Sequence, residues 1–183
     1  MSLQKDRERL KEIITNQAYF REKIILSSGK ESDYYIDARL ITLTPEGAYL
    51  SAKLMLDLVK DVSYDAIGGP TLGADPMIGA INALNFENGN LKKSFIIRKE
   101  AKAHGKGKQI EGPALKSGDK VVIIDDVATT GKAFLQSIDI LQAMNITVAK
   151  AVCIVDRGEG AKEAVAAKGV EMVAIFKAAE IHK

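Results

Sequence analysis

From residue 65 onward the chain alternates short apolar runs with amphipathic segments, and this alternation constrains the fold more than any other feature. The runs "DAIGG", "SFIIR", "KVVIIDD", "ITVAKAVCIV" and "VEMVAIF" are separated by "ADPMIGAINALNF", "TGKAFLQSIDILQAM" and "GAKEAVAAKG", whose apolar residues recur at helical spacing. A short run with no polar face must be buried on both sides, which a parallel sheet flanked by helices achieves. The class is therefore α/β, with a central parallel sheet. Upstream, "LITLTPEGAYLSAKLMLDLVK" predicts a helix with Thr44 as N-cap, Pro45 in the first turn, and Leu50, Leu54 and Leu58 on one face. Leu10, Ile13 and Ile14 predict an amphipathic helix within residues 3–16. The first forty residues lack the alternation and are expected to form a small subdomain beside the sheet.

Composition narrows the function classes. With 183 residues, 46% of them hydrophobic, the chain can bury one sizeable core, and a single domain over residues 1–183 is expected. There is no internal repeat or Pro- or Ser-rich linker. A net charge of +2 is too small to suggest nucleic acid or an anionic membrane as the main partner. The single Cys153 forbids an intrachain disulfide; with only two His it offers none of the usual zinc spacings, so no protein-held metal is expected. The start "MSLQKDRERLKEII" is charged throughout, and no window approaches the roughly 20 apolar residues of a membrane span. A soluble cytoplasmic protein is the expectation.

The most informative motif is "VVIIDDVATTGKA", residues 121–133. Residues 121–124 read as strand, with Asp125 and Asp126 at its carboxyl end, where open parallel sheets bind ligands. From Ala128 to Lys132 the chain turns into a helix, whose first N–H groups lack intrahelical partners and attract anions. Thr129 and Thr130 add hydroxyls, and Gly131 allows close approach of the backbone. A phosphate monoester fits such a bed, but carboxylates beside it would repel phosphate unless they serve another part of the ligand. Ribose hydroxyls are suitable partners, so the two features together suggest a ribose 5-phosphate. The plainer alternative is that one Asp caps the helix and the other pairs with a lysine. A Walker loop is excluded because Asp126 and Ala133 occupy the positions that require Gly and Ser or Thr. No G-x-G-x-x-G occurs.

Two further segments bear on the ligand. "RKEAKAHGKGKQIEG", residues 98–112, concentrates Arg98, Lys99, Lys102, His104, Lys106 and Lys108 between glycines in a nearly neutral chain. It reads as a cationic lid for a polyanion that excludes water on closing, or else as a solvated charge run. "GGPTLGADP", residues 68–76, joins a strand to a helix and is either a second anion-binding turn or simply a turn. Arg157, in "CIVDRGEG", is either an anion ligand or half of a surface pair with Glu159.

Taken together, these residues resemble a type I phosphoribosyltransferase, and within that superfamily the orotate phosphoribosyltransferases. "VVIIDDVATTGKA" resembles the superfamily's phosphoribosyl diphosphate (PRPP) motif. "LSSGKESDYYIDAR", residues 26–39, is similar to the family's N-terminal signature, and "RKEAKAHGKGKQIEG" to its catalytic loop. The resemblance implies a small N-terminal hood, mainly residues 1–40, and a flexible catalytic loop over 99–112. It implies transfer of the 5-phosphoribosyl group from PRPP to orotate, giving orotidine 5-phosphate and pyrophosphate, with magnesium (Mg2+) carried mainly on PRPP. By analogy Asp125 and Asp126 hold the ribose hydroxyls, and Ala128, Thr129, Thr130, Gly131, Lys132 and Ala133, with Val127 beside them, hold the 5-phosphate. Arg98, Lys99, Lys102 and His104 hold the diphosphate, Thr129 and Arg157 contact orotate, and Lys102 and Asp126 take part in catalysis. A homodimer whose loop closes over the neighbouring subunit's site is also implied.

Some positions depart from well-known bacterial members. Ser27 stands in place of a lysine, Leu72-Gly73 in place of Tyr-Lys, and Lys132 where a small residue is common. Two other functions compete: a purine-base transferase, which would have less use for Arg157, and a regulator that keeps the PRPP site without catalysis.

Overall fold

A computed structural model describes residues 2–25, 31–100 and 109–181. Its centre is a six-stranded sheet of β5 (Ala66–Pro70), β6 (Lys93–Ile97), β7 (Ile110–Glu111), β8 (Lys120–Ala128), β9 (Thr147–Asp156) and β10 (Met172–Lys177), in spatial order β10-β9-β8-β5-β6-β7. All neighbours are parallel except β7, which lies antiparallel on β6. The order reverses at β5: the chain moves outward to β6, then returns to β8 on the other side of β5. Open α/β sheets bind ligands at such a switch point, beyond the carboxyl ends of the strands.

The apolar runs are buried on both faces because successive side chains alternate across a strand. On β8, Val122 and Ile124 enter one core with Met55, Met77 and Ile81 from α3 (Pro45–Leu58) and α4 (Asp75–Glu87). Val121 and Ile123 enter the other, with Phe134, Ile138 and Leu141 of α5 (Lys132–Ala143) and Val165 of α6 (Ala161–Ala166). All four of these β8 residues are fully buried.

Two features differ from the sequence reading. Strand β8 does not stop at residue 124 but continues to Ala128, because Val127 and Ala128 still pair with Val155 and Asp156 of β9. The segment 98–112 is not loop throughout: Arg98 N donates to Gln109 O at 2.9 Å, and Ile110 and Glu111 pair with Ile97 and Ile96. The sheet is therefore mixed, with a short antiparallel edge.

The N-terminal region packs into the same core as one face of the sheet, through Leu10, Ile14, Ile36 and Ile41. Helix α1 (Leu3–Ile13) runs into a π-helical turn at Ile14–Ala18, then two small antiparallel pairs follow. They are β1 (Tyr19–Phe20) with β4 (Tyr35–Ile36), and β2 (Ile24–Ile25) with β3 (Glu31–Ser32). Helix α1 is tied to α3 by Lys53 Nζ to the buried Asp6 Oδ2 at 2.7 Å, and to β10 by Arg7 Nη2 donating to Ile175 O at 3.0 Å. After the short α2 (Arg39–Thr42), Thr44 caps α3: its Oγ1 accepts from Gly47 N at 3.2 Å and donates to Ile41 O at 2.7 Å. Among the described residues no helix is long and apolar enough to cross a membrane.

Loss of that cap is measurable. Thr44→Ala should cost about 1 kcal/mol in a denaturant titration, lowering the midpoint with an unchanged slope. An unchanged midpoint would show that the hydroxyl does not hold the start of α3.

Candidate active site

The site begins where β8 ends beside β5. Asp125 is 7% exposed, and its Oδ1 accepts from Asp126 N at 2.9 Å; Asp126 Oδ1 in turn accepts from Val127 N at 2.7 Å. Each carboxylate is thus fixed by the next backbone amide while the strand ladder continues past it. Gly73, after β5, lies directly against the pair. A Cβ there would collide with Asp125 Oδ1 and stand 2.7 Å from Asp126 Oδ1, so only glycine fits unless the acids move.

Electrostatics mark this pair as costly. Burial, followed by repulsion from Asp126, pushes the Asp125 carboxyl well above the usual carboxylate range. Burial also raises Asp126, opposed by its hydrogen bond from Val127 N and by the nearby Arg39 charge. Two adjacent acids desolvated together favour a site whose ligand supplies hydroxyl donors or positive charge.

Beyond the acids the chain turns sharply. Gly131 has φ +80°, and a Cβ there would lie 3.1 Å from Ala161 Cα of α6, so the turn needs left-handed backbone as well as close packing. Helix α5 starts at Lys132 with no side-chain cap, leaving its first N–H groups directed at a cavity of about 330 Å³. Thr129, Thr130, Gly131, Lys132, Ala133 and Lys99 line it, with Asp125, Val127 and Ala128 below. A larger cavity of about 470 Å³ adjoins it, lined by Tyr35, Arg39, Leu72, Gly73, Asp126 and Arg157 among others. Val127, Thr129 and Lys99 border both, so the acid pair stands between two connected compartments.

Arg157 closes the larger compartment. Its Nε donates to Glu159 Oε1 at 2.7 Å and its Nη2 to Ser32 Oγ at 2.9 Å, while Cζ sits 4.3 Å from the centroid of the Tyr34 ring. The pairing with Glu159 considered from sequence does form, but inside the protein: the Arg157 side chain is 3% exposed. Burial raises the Tyr34 phenol, opposed by the charge of Arg157. A guanidinium fixed by a carboxylate, a hydroxyl and an aromatic face is held in one plane.

The structure thus brings together Lys99, Asp125, Asp126, Val127 through Ala133, and Arg157. Arg98 lines neither cavity; its Nη1 reaches Glu111 Oε1 at 3.3 Å, because the antiparallel pairing of β7 brings that carboxylate alongside. Lys102 and His104 lie outside the described residues, as does Ser27. Sequence reasoning missed Ser32 and Tyr34 as partners of Arg157 and Arg39 as a wall of the larger cavity, and it placed the Glu159 pair on the surface rather than inside. The run "SDYYIDAR" held a signal for three of them, since polar and aromatic residues are crowded there in a segment too short for a core of its own.

Comparison with known proteins agrees with this geometry. Residues 45–180 match the family model described as the phosphoribosyl transferase domain. Orotate phosphoribosyltransferase of Aquifex aeolicus is 42% identical over 156 residues, 85% of each chain. That of Bradyrhizobium sp. (strain ORS 278) is 38% identical and spans 98% of this chain and 99% of its own. The chain belongs to the orotate phosphoribosyltransferase family. Among solved members, the Mycobacterium tuberculosis enzyme in complex with Fe(III) dicitrate superposes with a TM-score of 0.81 at 34% identity, over 97% of this chain and 99% of that one. The same enzyme in complex with PRPP superposes at 0.78 with 32% identity, over 96% and 98% of the two chains. The acid pair, the turn and Arg157 meet at one end of the sheet of this family fold.

The buried acids make stability depend on pH in a definite sense. A carboxyl whose pKa is raised on folding binds more protons in the native state, so its contribution to stability falls as pH rises from the unfolded pKa, about 4, through the folded one. Asp125→Asn should therefore raise the thermal midpoint at pH 8 and raise it much less at pH 4. A gain that is equal at both pH values, or a loss at pH 8, would contradict the assignment of this strain to Asp125.

Proposed function

We propose that the chain transfers the 5-phosphoribosyl group of PRPP to orotate, releasing pyrophosphate and giving orotidine 5-phosphate for pyrimidine biosynthesis. The observation that carries this reading is the pair of connected cavities divided by Asp125 and Asp126. The smaller is walled by the open N-terminus of α5 and suits the 5-phosphate. The acid pair suits the ribose diol. The larger has room for a base and a diphosphate, with the clamped Arg157 available to the ring carboxylate of orotate through charge-assisted hydrogen bonds.

The bond between C1 of the ribose and the diphosphate oxygen breaks as the orotate nitrogen forms its bond to C1. Positive charge builds on the ribose ring and negative charge on the departing pyrophosphate, as in other glycosyl transfers. Asp126 stabilises the first electrostatically, and Lys99 with Lys102 and His104 of the segment that follows it stabilises the second. Magnesium enters with the substrate. Carboxylate and hydroxyl oxygens at Asp125, Asp126 and Thr129 suit a hard cation that keeps most of its waters and is carried by phosphates. Among the described residues no cluster of three or more His, Cys, Asp or Glu could hold it unaided. When bound, it neutralises charge on the leaving diphosphate. The same reading, through the family resemblance, implies a homodimer, and the single cysteine fits a reducing compartment such as the cytoplasm.

The test is incubation of the protein with PRPP and magnesium and each nucleobase in turn. Consumption of orotate with stoichiometric release of pyrophosphate is expected. Selective consumption of adenine or guanine would reject orotate, and no turnover with any base would reject catalysis.

A further inference from the structure

A PRPP diphosphate brings several negative charges, and the acceptor's carboxylate brings one more. Three cationic side chains among the described residues line this cavity: Arg39, Lys99 and Arg157. Arg157 is already committed to Glu159, Ser32 and the Tyr34 face, and suits a single carboxylate. The wall formed by Thr71, Leu72 and Gly73 supplies no cation, and Gly73 has no space for a side chain because the acid pair occupies it. Among the described residues, Lys99 and Arg39 are then the cations of this cavity available to a diphosphate, in addition to Lys102 and His104 proposed above.

Arg39 is placed and oriented to contribute donors to such an anion. It opens α2 immediately after the turn that carries Asp37, and its own backbone N donates to Asp37 Oδ1 at 3.1 Å. The guanidinium is gripped in two places by the same carboxylate, Nε to Oδ1 at 2.8 Å and Nη2 to Oδ2 at 3.0 Å. This fork fixes the plane of the group and uses two of its five donors. The side chain is 44% exposed, on the wall of a cavity that also holds Asp126, whose carboxyl senses its charge. Asp37 lines the same cavity, and an arginine held in one plane by a neighbouring carboxylate, with donors left over, is preorganised for an anion at low entropic cost.

We infer that Arg39 is a further substrate-binding residue of the proposed reaction, taking the diphosphate of PRPP and the product pyrophosphate with the donors that Asp37 leaves. The inference rests on the functional reading above, so the experiment separates the two. Pyrophosphate with magnesium, and separately ribose 5-phosphate, are titrated calorimetrically into the wild-type chain, Arg39→Ala and Arg39→Lys. Arg39→Ala should weaken pyrophosphate at least about tenfold and leave ribose 5-phosphate within about twofold, since the 5-phosphate occupies the other compartment. Arg39→Lys, which keeps charge and loses the fork, should show a smaller loss for pyrophosphate alone. Unchanged pyrophosphate binding in both variants, or equal weakening of both ligands, overturns the role of Arg39. Should Arg39→Ala fail to fold, Arg39→Lys decides alone: an unchanged pyrophosphate affinity overturns the inference, and a selective loss supports it. A wild-type chain that binds neither ligand would overturn the functional reading itself, and this inference with it.

Discussion

The rest of the site depends on one unfavourable act: two adjacent carboxylates are buried at the end of a central strand. The sheet makes this possible, because β8 continues past Asp125 and Asp126 and keeps their backbone paired with β9 as far as Ala128. Each carboxylate then accepts the next amide, and Gly73 closes against them from the neighbouring strand's loop. Such an arrangement gives up stability for a fixed geometry, which is the usual trade at a functional site. It also divides the cleft, since Asp126 lines the larger cavity and Asp125 the smaller.

The hood is attached to this arrangement by charge and aromatic contact. Arg157, at the carboxyl end of β9, reaches Ser32 and Tyr34 across more than a hundred residues of sequence, and Tyr34 stacks on Tyr19 with centroids 5.6 Å apart. On the far side, α1 is held by Asp6 to Lys53 and by Arg7 to β10. The small N-terminal layer is therefore secured at two ends, and Ile24 of β2, with Tyr35 and Ile36 of β4, lines the cavity that holds Asp126. Arg39, just beyond β4, lines the same cavity.

Much of this was legible in the sequence, for reasons that differ by element. The parallel strands were readable because burial on both faces leaves apolar runs, and α3 because Thr44 and Pro45 mark its start. The turn from β8 into α5 was readable because two threonines and Gly131 interrupt the apolar run just before a helical pattern. The extension of β8 was not, since strand pairing by Val127 and Ala128 depends on a partner, β9, chosen by the tertiary fold. The edge strand β7 was hidden for the same reason inside a basic segment. Arg98 illustrates the limit of reading by composition: adjacent in sequence to Lys99, it points toward Glu111 once the antiparallel pair forms. Glu159 beside Arg157 was visible as a pairing, but its burial depended on the hood.

The central claim is that the 5-phosphate and the diphosphate of PRPP lie on opposite sides of the acid pair at the end of β8, with the ribose held on the pair itself. A crystal structure of the chain with PRPP and magnesium measures this directly. The account predicts the 5-phosphate against the N–H groups of residues 129–133, the ribose hydroxyls on Asp125 and Asp126, and the diphosphate in the larger cavity. A 5-phosphate found in the larger cavity, or acids turned away from the sugar, would contradict it.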